Sequence, residues 1–181
     1  MRKRINGQDI LAIAFDWDGT LMDSVATIVS CVQATAHDSG LPVPTDAQVR
    51  YVVGLGIDGY LSHTMPQLPQ SQYVEARKCY RQHALSHADD VVQFPGVLAM
   101  IDQLEAADYR LAIATGKTRR GLDLALNESG LVGRFHATRC AEETHTKPDP
   151  MMPYGLIAAF DIPPVAMLMI GNTTHDLQMG Y

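Results

Sequence analysis

Apolar residues gather along this chain in four short runs: LAIAF (11–15), LAIAT (111–115), FHAT (135–138) and VAMLMI (165–170). FHAT is the weakest. The other three are apolar without polar alternation and are followed at once by Gly, Asp or Thr, the pattern of parallel strands buried on both faces. Between the runs the periodicity changes. GVLAMIDQLEAAD (96–108) sets Val97, Met100, Ile101 and Leu104 on one helical stripe. TRRGLDLALNESG (118–130) does the same with Leu122, Ala125 and Leu126, and Gly130 is its expected stop. DPMMPYGLIAAF (149–160) is a third helix, expected to break early at Pro153. Strand and helix in alternation predict an α/β fold with a doubly wound parallel sheet.

One interval departs from the alternation. Residues 23 to about 95 separate the first strand from the second, far more chain than a crossover needs. DSVATIVSCVQATAHDSG places Val25, Ile28, Val29 and Val32 on one face, and SQYVEARKCYRQHALSHADD is a second long helical pattern. The segment reads as an inserted, mostly helical subdomain over 23–95, with 1–22 and 96–181 forming a discontinuous core. Its edges fall at MDS (22–24) and QFPGV (93–97), where Pro95 and Gly96 make a hinge and a helix start.

Composition narrows the partners. A formal charge of −6 repels nucleic acid and acidic membranes, and 46% hydrophobic with 19% charged residues suits a soluble globule. The basic start MRKRINGQDI leads into only five apolar residues, too few for a signal peptide, and no stretch is long enough to span a bilayer. Cys31, Cys79 and Cys140 are odd in number and lack metal-like spacing, which points to a reducing cytoplasm and to buried filler.

In an open parallel sheet, ligands bind beyond the carboxyl ends of the strands. Those positions hold DWDGTLMDS with Asp16 and Asp18, TGKT with Thr115, Gly116 and Lys117, HTKPDP with Lys147, and GNTTHD with Asn172 and Asp176. Each stretch alone has a bland reading as turn or cap chemistry. In this order, each at a strand end, they point to phosphoryl transfer. Asp16 can attack phosphorus and become an aspartyl phosphate. Asp18 can protonate the leaving alkoxide and then activate water. Gly19 permits the tight turn that aims loop N–H groups at phosphoryl oxygens. Thr115 and the Gly116 N–H add hydrogen bonds, and Lys147 balances charge. A phosphate dianion among carboxylates calls for a hard cation, and oxygen ligands suit Mg²⁺.

FDWDGTLMDS, ATGK, TKPDP and IGNTTHDLQMG, in that order, resemble the four motifs of the haloacid dehalogenase superfamily of phosphohydrolases, nearest its phosphoglycolate-phosphatase-like branch. The resemblance implies a Rossmann-like core with a helical cap inserted after the first strand, in agreement with the reading of 23–95. It implies Asp16 as nucleophile and Mg²⁺ ligand, and Asp18 as general acid/base whose main-chain carbonyl binds the metal. Thr115 becomes a phosphate ligand, with Gly19, Gly116 and Lys117 beside it, and Lys147 the charge-balancing lysine. Asp18 argues against the dehalogenases themselves, which lack an Asp at that position. GLGIDGYL (54–61) resembles the cap loop that faces the active site, and Arg77, Lys78 and Arg81 are placed to meet a second anion unless they form a solvated helix face with Glu75. The expected substrate is a small phosphorylated metabolite.

Two features depart from the family pattern. The fourth motif usually begins Gly-Asp, and Asn172 stands where that carboxylate would ligate Mg²⁺. An amide keeps an oxygen but loses a charge, so weakened metal binding and reduced activity are expected, with Asp176 taking part of the role. The chain also stops soon after that motif, and Leu177 to Tyr181 reads as the first turn of a helix. A missing C-terminal strand and helix would leave the 165–170 strand as an exposed edge, open to pairing in a homodimer, while a monomer remains the alternative. Three other readings share part of the pattern: a phospho-acceptor receiver, disfavoured by motif order; a non-catalytic scaffold for phosphorylated ligands or protein, favoured only by Asn172; and a phosphoglucomutase-type enzyme with the same core motifs.

Overall fold

The computed structural model describes residues 4, 5 and 7–180; Tyr181, to which the final helical turn was expected to run, lies outside the described residues. A short antiparallel ribbon, β1 (Arg4–Ile5) and β2 (Gln8–Asp9), precedes β3 (Ala12–Phe15). β4 (Met22–Asp23) then leads into α1 (Val25–Asp38), α2 (Asp46–Val52), α3 (Gly56–Thr64) and α4 (Tyr73–Ser86). β5 (Val92–Gln93) returns the chain to α5 (Val97–Ala106), β6 (Arg110–Thr115), α6 (Arg119–Glu128), β7 (Ala137–Cys140), α7 (Met151–Phe160), β8 (Met167–Ile170) and α8 (Thr174–Met179).

β7, β6, β3 and β8 form one parallel sheet in that order, with Ala12 opposite both Arg110 and Met167. The apolar strands do alternate, in volume rather than polarity. Ala12, Ala14, Ala112 and Ala114 face one side, where Met152, Leu156 and Phe160 of α7 pack closely. Ile13, Phe15, Leu111 and Ile113 face the other, against Val97 and Ile101 of α5 and Leu122 of α6. Small residues on one face bring α7 near the backbone; large ones fill the wider gap beneath α5 and α6. Both faces are thereby covered, as a parallel sheet requires.

Two local expectations change. Pro153 does not interrupt the third predicted helix: it occupies the first turn of α7, where no intrahelical partner awaits its missing N–H. The weak run at 135–138 becomes a strand only from Ala137, because the parallel register with β6 starts there and continues through polar Thr138 and Arg139. An outer strand tolerates such residues. β8 closes the other end of the sheet, pairs with β3 and is half-buried along its length.

The helices α1 to α4 hold an apolar cluster of their own, built on Val29, Val32, Val49, Val52, Leu61 and Met65. The two ends of that segment are tied together by β4 and β5, whose register pairs Met22 with Gln93 and Asp23 with Val92. This small ribbon involves the MDS (22–24) and QFPGV (93–97) stretches. Neither strand has the length or alternation to be legible alone.

Candidate active site

Asp16 follows directly on β3, and its N–H donates to the Ile170 carbonyl at 2.9 Å, which fixes it at the seam between β3 and β8. The chain then turns sharply. Leu21 and Met22 N–H groups both donate to the Trp17 carbonyl, at 3.0 and 3.1 Å, while Gly19 N–H donates to Met22 O at 2.8 Å. Gly19 has φ +78°, and a Cβ there would lie 2.9 Å from Asn172 Cγ and from Val25 Cγ2. The turn therefore needs glycine for both its conformation and its neighbours.

Lys147, buried in the loop before α7, places Nζ 2.6 Å from Asp16 Oδ1 and 2.7 Å from Asp176 Oδ1. Asp176 lies in the first turn of α8, where its Oδ2 accepts from Thr173 N–H at 3.0 Å and from Thr173 Oγ1 at 2.7 Å, a reciprocal capping box. Both Asp176 oxygens thus carry partners from the protein. Asp16 differs: Oδ1 is held by Lys147, but Oδ2 is buried and has no partner. A buried carboxylate oxygen left bare is costly unless something else meets it.

Electrostatics follow from this packing. Burial pushes the Asp16 carboxyl up to about 6, the Lys147 ammonium opposes that, and Asp176 and Asp18 add to it. For Lys147 burial disfavours the charge, yet the two carboxylates beside it raise the ammonium above its ordinary value. Asp176 is also desolvated, but Lys147 and the Thr173 hydrogen bonds hold it below the usual carboxylate range. Lys147 is thus a fixed cation between two acids.

Asp18, also buried, accepts from Ser24 Oγ at 2.7 Å, with Lys117 Nζ 3.1 Å from the same oxygen. Ser24 looks like the N-cap of α1 in sequence, but its side chain makes no capping bond. It holds the Asp18 carboxylate instead, a role the sequence reading missed because Ser before a helix normally signals a cap. Thr115 is buried at the end of β6, where its hydroxyl accepts from Lys117 N–H at 3.2 Å. Asn172, after β8, accepts from Thr20 Oγ1 at 3.3 Å, so its amide oxygen lies beside the Asp16–Met22 turn.

The helical segment comes down on this edge. A Cβ on Gly54 would lie 3.9 Å from both Asp16 Oδ2 and Lys147 Nζ. A Cβ on Gly116 would overlap the Gly54 carbonyl and stand 2.7 Å from Gly56 N. The two loops meet backbone to backbone over the carboxylates. His175 adds a link, with Nε2 2.9 Å from the Tyr51 carbonyl of α2. Beside this contact a cavity of about 1070 Å³ is lined by Asp18, Ser24, Tyr60, Tyr80, Arg81 and Lys117, among others. A second of about 550 Å³ is lined by Leu55, Asp58, Ser62, Arg77 and Lys147. Of the three basic residues considered for a second anion, Arg77 is held by Asp58 through two bonds of 2.5 and 2.7 Å. Lys78 pairs with Glu75 at 3.4 Å, and Arg81 reaches the larger cavity.

Residues 13–181 match the family model described as haloacid dehalogenase-like hydrolase. A phosphoglycolate phosphatase of Vibrio vulnificus is 30% identical to the chain, over 94% of it and 78% of that protein. An N-acetylmuramic acid 6-phosphate phosphatase of Pseudomonas putida is 23% identical over 93% of the chain and 77% of its own length. Among solved structures, a hydrolase from Pseudomonas syringae superposes with a TM-score of 0.85 at 18% identity, over 94% of this chain and 79% of that one. A haloacid dehalogenase-like family hydrolase from Streptococcus pneumoniae does so with a TM-score of 0.77 at 22% identity, over 94% and 80%. These structural matches carry the fold.

Proposed function

The chain belongs to the haloacid dehalogenase-like hydrolase family, and on that premise we propose that it is a Mg²⁺-dependent, cytoplasmic phosphatase that hydrolyses a small phosphomonoester through an aspartyl phosphate on Asp16. The observation that carries the reading is the bare, buried Asp16 Oδ2 beside an ammonium that holds the other oxygen. The two curated relatives act on different substrates by name, and a phosphomonoester is what those names share.

Asp16 Oδ2 attacks phosphorus while Lys147 keeps the carboxylate oriented and offsets the incoming negative charge. Thr115 and the loop N–H groups receive the phosphoryl oxygens. Asp18 delivers a proton to the departing oxygen and later takes one from the attacking water. Ser24 and Lys117 set its position, and Lys117 would trade that contact for phosphate when substrate enters. The α1–α4 segment acts as a cap, with the Gly54–Gly56 loop excluding water above the carboxylates.

The donor set suits a hard cation: the Asp16 carboxylate and the Asn172 amide oxygen lie at the same turn, both hard oxygen donors. Asp16, the Asp18 main-chain carbonyl and Asn172 would hold Mg²⁺, which when bound neutralises phosphoryl charge. Asp176 would serve as a ligand only by giving up Lys147 or Thr173. With Asn172 in place of a carboxylate, the metal site is weak and activity modest.

The test is hydrolysis of a panel of phosphomonoesters with Mg²⁺, on this chain and on Asp16→Asn. Turnover that disappears in the variant, with a trappable phosphoenzyme only in the parent, supports the reading. Undiminished activity in Asp16→Asn would sink the nucleophile assignment. Phosphate-ester binding without turnover would instead favour the scaffold reading that Asn172 alone suggests.

A further inference from the structure

A thiol, an imidazole and a carboxylate converge where the end of α1 meets α4, outside the phosphatase site. Cys79 and His83 are four residues apart on α4, so their side chains stand on one face of the helix. Asp38 is the last residue of α1. Its Oδ2 lies 2.8 Å from His83 Nε2 and 3.6 Å from Cys79 Sγ. One ligand atom from each residue falls within 4.8 Å of the other two. Tetrahedral bonds of ordinary zinc length would set such atoms about 3.3–3.6 Å apart, so each needs to move by less than about an ångström.

We propose that Asp38, Cys79 and His83 form a binding site for a borderline divalent ion of the Zn²⁺ class, with water in the fourth position. Thiolate and imidazole together select such an ion over Mg²⁺. Two further features agree. An acid at the carboxyl end of a helix opposes the helix dipole, and a cation placed there reverses that penalty. His37 Nδ1 contacts the other Asp38 oxygen at 3.2 Å, which orients the carboxylate with Oδ2 turned to Cys79 and His83. Asp38 is exposed and the other two are partly so, which leaves an entry path.

The ion would join α1 to α4, the helices that also supply Cys31, Tyr80 and Arg81 to the large cavity. It would therefore stiffen one wall of the substrate cleft without touching the chemistry.

Titration of the full chain with Co²⁺ tests this, since a thiolate ligand gives a sulfur-to-cobalt charge-transfer band. The band is expected at one equivalent, to be displaced by Zn²⁺, and to vanish in Cys79→Ser. His83→Gln and Asp38→Asn should each weaken Zn²⁺ by at least about 10-fold. Asp16→Asn should keep the band, which separates this site from any metal at the phosphatase centre. Circular dichroism of Cys79→Ser controls for folding. Absence of the band in the parent chain, or Zn²⁺ affinity unchanged in a folded Cys79→Ser, overturns the proposal.

Discussion

The Lys147 ammonium lies 2.6 Å from Asp16 Oδ1, both side chains sealed from solvent, although 131 residues separate them along the chain. The same ammonium also holds Asp176. Removing it leaves two buried carboxylates uncompensated, which costs about 3–5 kcal/mol. Lys147→Met is expected to lower the thermal midpoint by on the order of 10 °C and to abolish phosphatase activity. A melt of Lys147→Met combined with Asp16→Asn should recover part of the stability and none of the activity; no recovery would mean the two side chains are not energetically coupled.

Asn172→Asp adds a carboxylate at the metal side of the turn. The Mg²⁺ concentration for half-maximal activity should fall by on the order of 10- to 100-fold. A titration of rate against Mg²⁺ measures this directly, and an unchanged midpoint would show that position 172 does not limit metal binding.

Gly116→Ala tests the contact between the loop after β6 and the 54–56 loop. The added methyl meets the backbone of Gly54 and Gly56, which cannot be moved by a rotamer change. The loop must lift, and kcat/KM is expected to drop on the order of 10²-fold from misplaced groups. Proteolysis near 54–56 should become faster. Wild-type kinetics in this variant would argue that the cap does not close in this way during turnover.

The acid limb of stability should report on Glu105. Arg134 Nε and a terminal nitrogen hold its carboxylate at 2.8 and 2.7 Å, which keeps it below its ordinary value of 4.5. A depressed carboxylate contributes stability above its unfolded value and loses it as pH falls through the folded one. Glu105→Gln should therefore be less stable than the parent at neutral pH, and the gap should narrow below about pH 4.5. Denaturant melts at pH 7 and pH 3.5 would show it; an equal gap at both would mean the pair does not act through charge.

Much of this was open to reading without coordinates because strand ends are local signals. LAIAF, LAIAT and VAMLMI, each followed by Asp, Thr or Gly, located β3, β6 and β8 and the acids and hydroxyl beyond them. The helical periodicity of α1 and α4 was legible in the same way. Ser24 was not, since its sequence context speaks for a cap. The Asp38, Cys79 and His83 cluster was equally hidden: spacing among cysteines says nothing about a carboxylate 41 residues away that arrives only when α1 packs on α4.

The sequence by itself determined the α/β alternation and singled out Asp16, Asp18, Thr115, Lys147 and Asn172 as candidates at strand ends, because periodicity and strand-end chemistry depend on neighbours in the chain. Tertiary structure decided which oxygens are free. Asp176 is spent on Lys147 and Thr173, Lys117 turns to Asp18, and Asp16 Oδ2 alone among these carboxylate oxygens is buried without a partner. Such commitments depend on separations of 2.6 to 3.1 Å between groups distant in sequence, and only packing sets those.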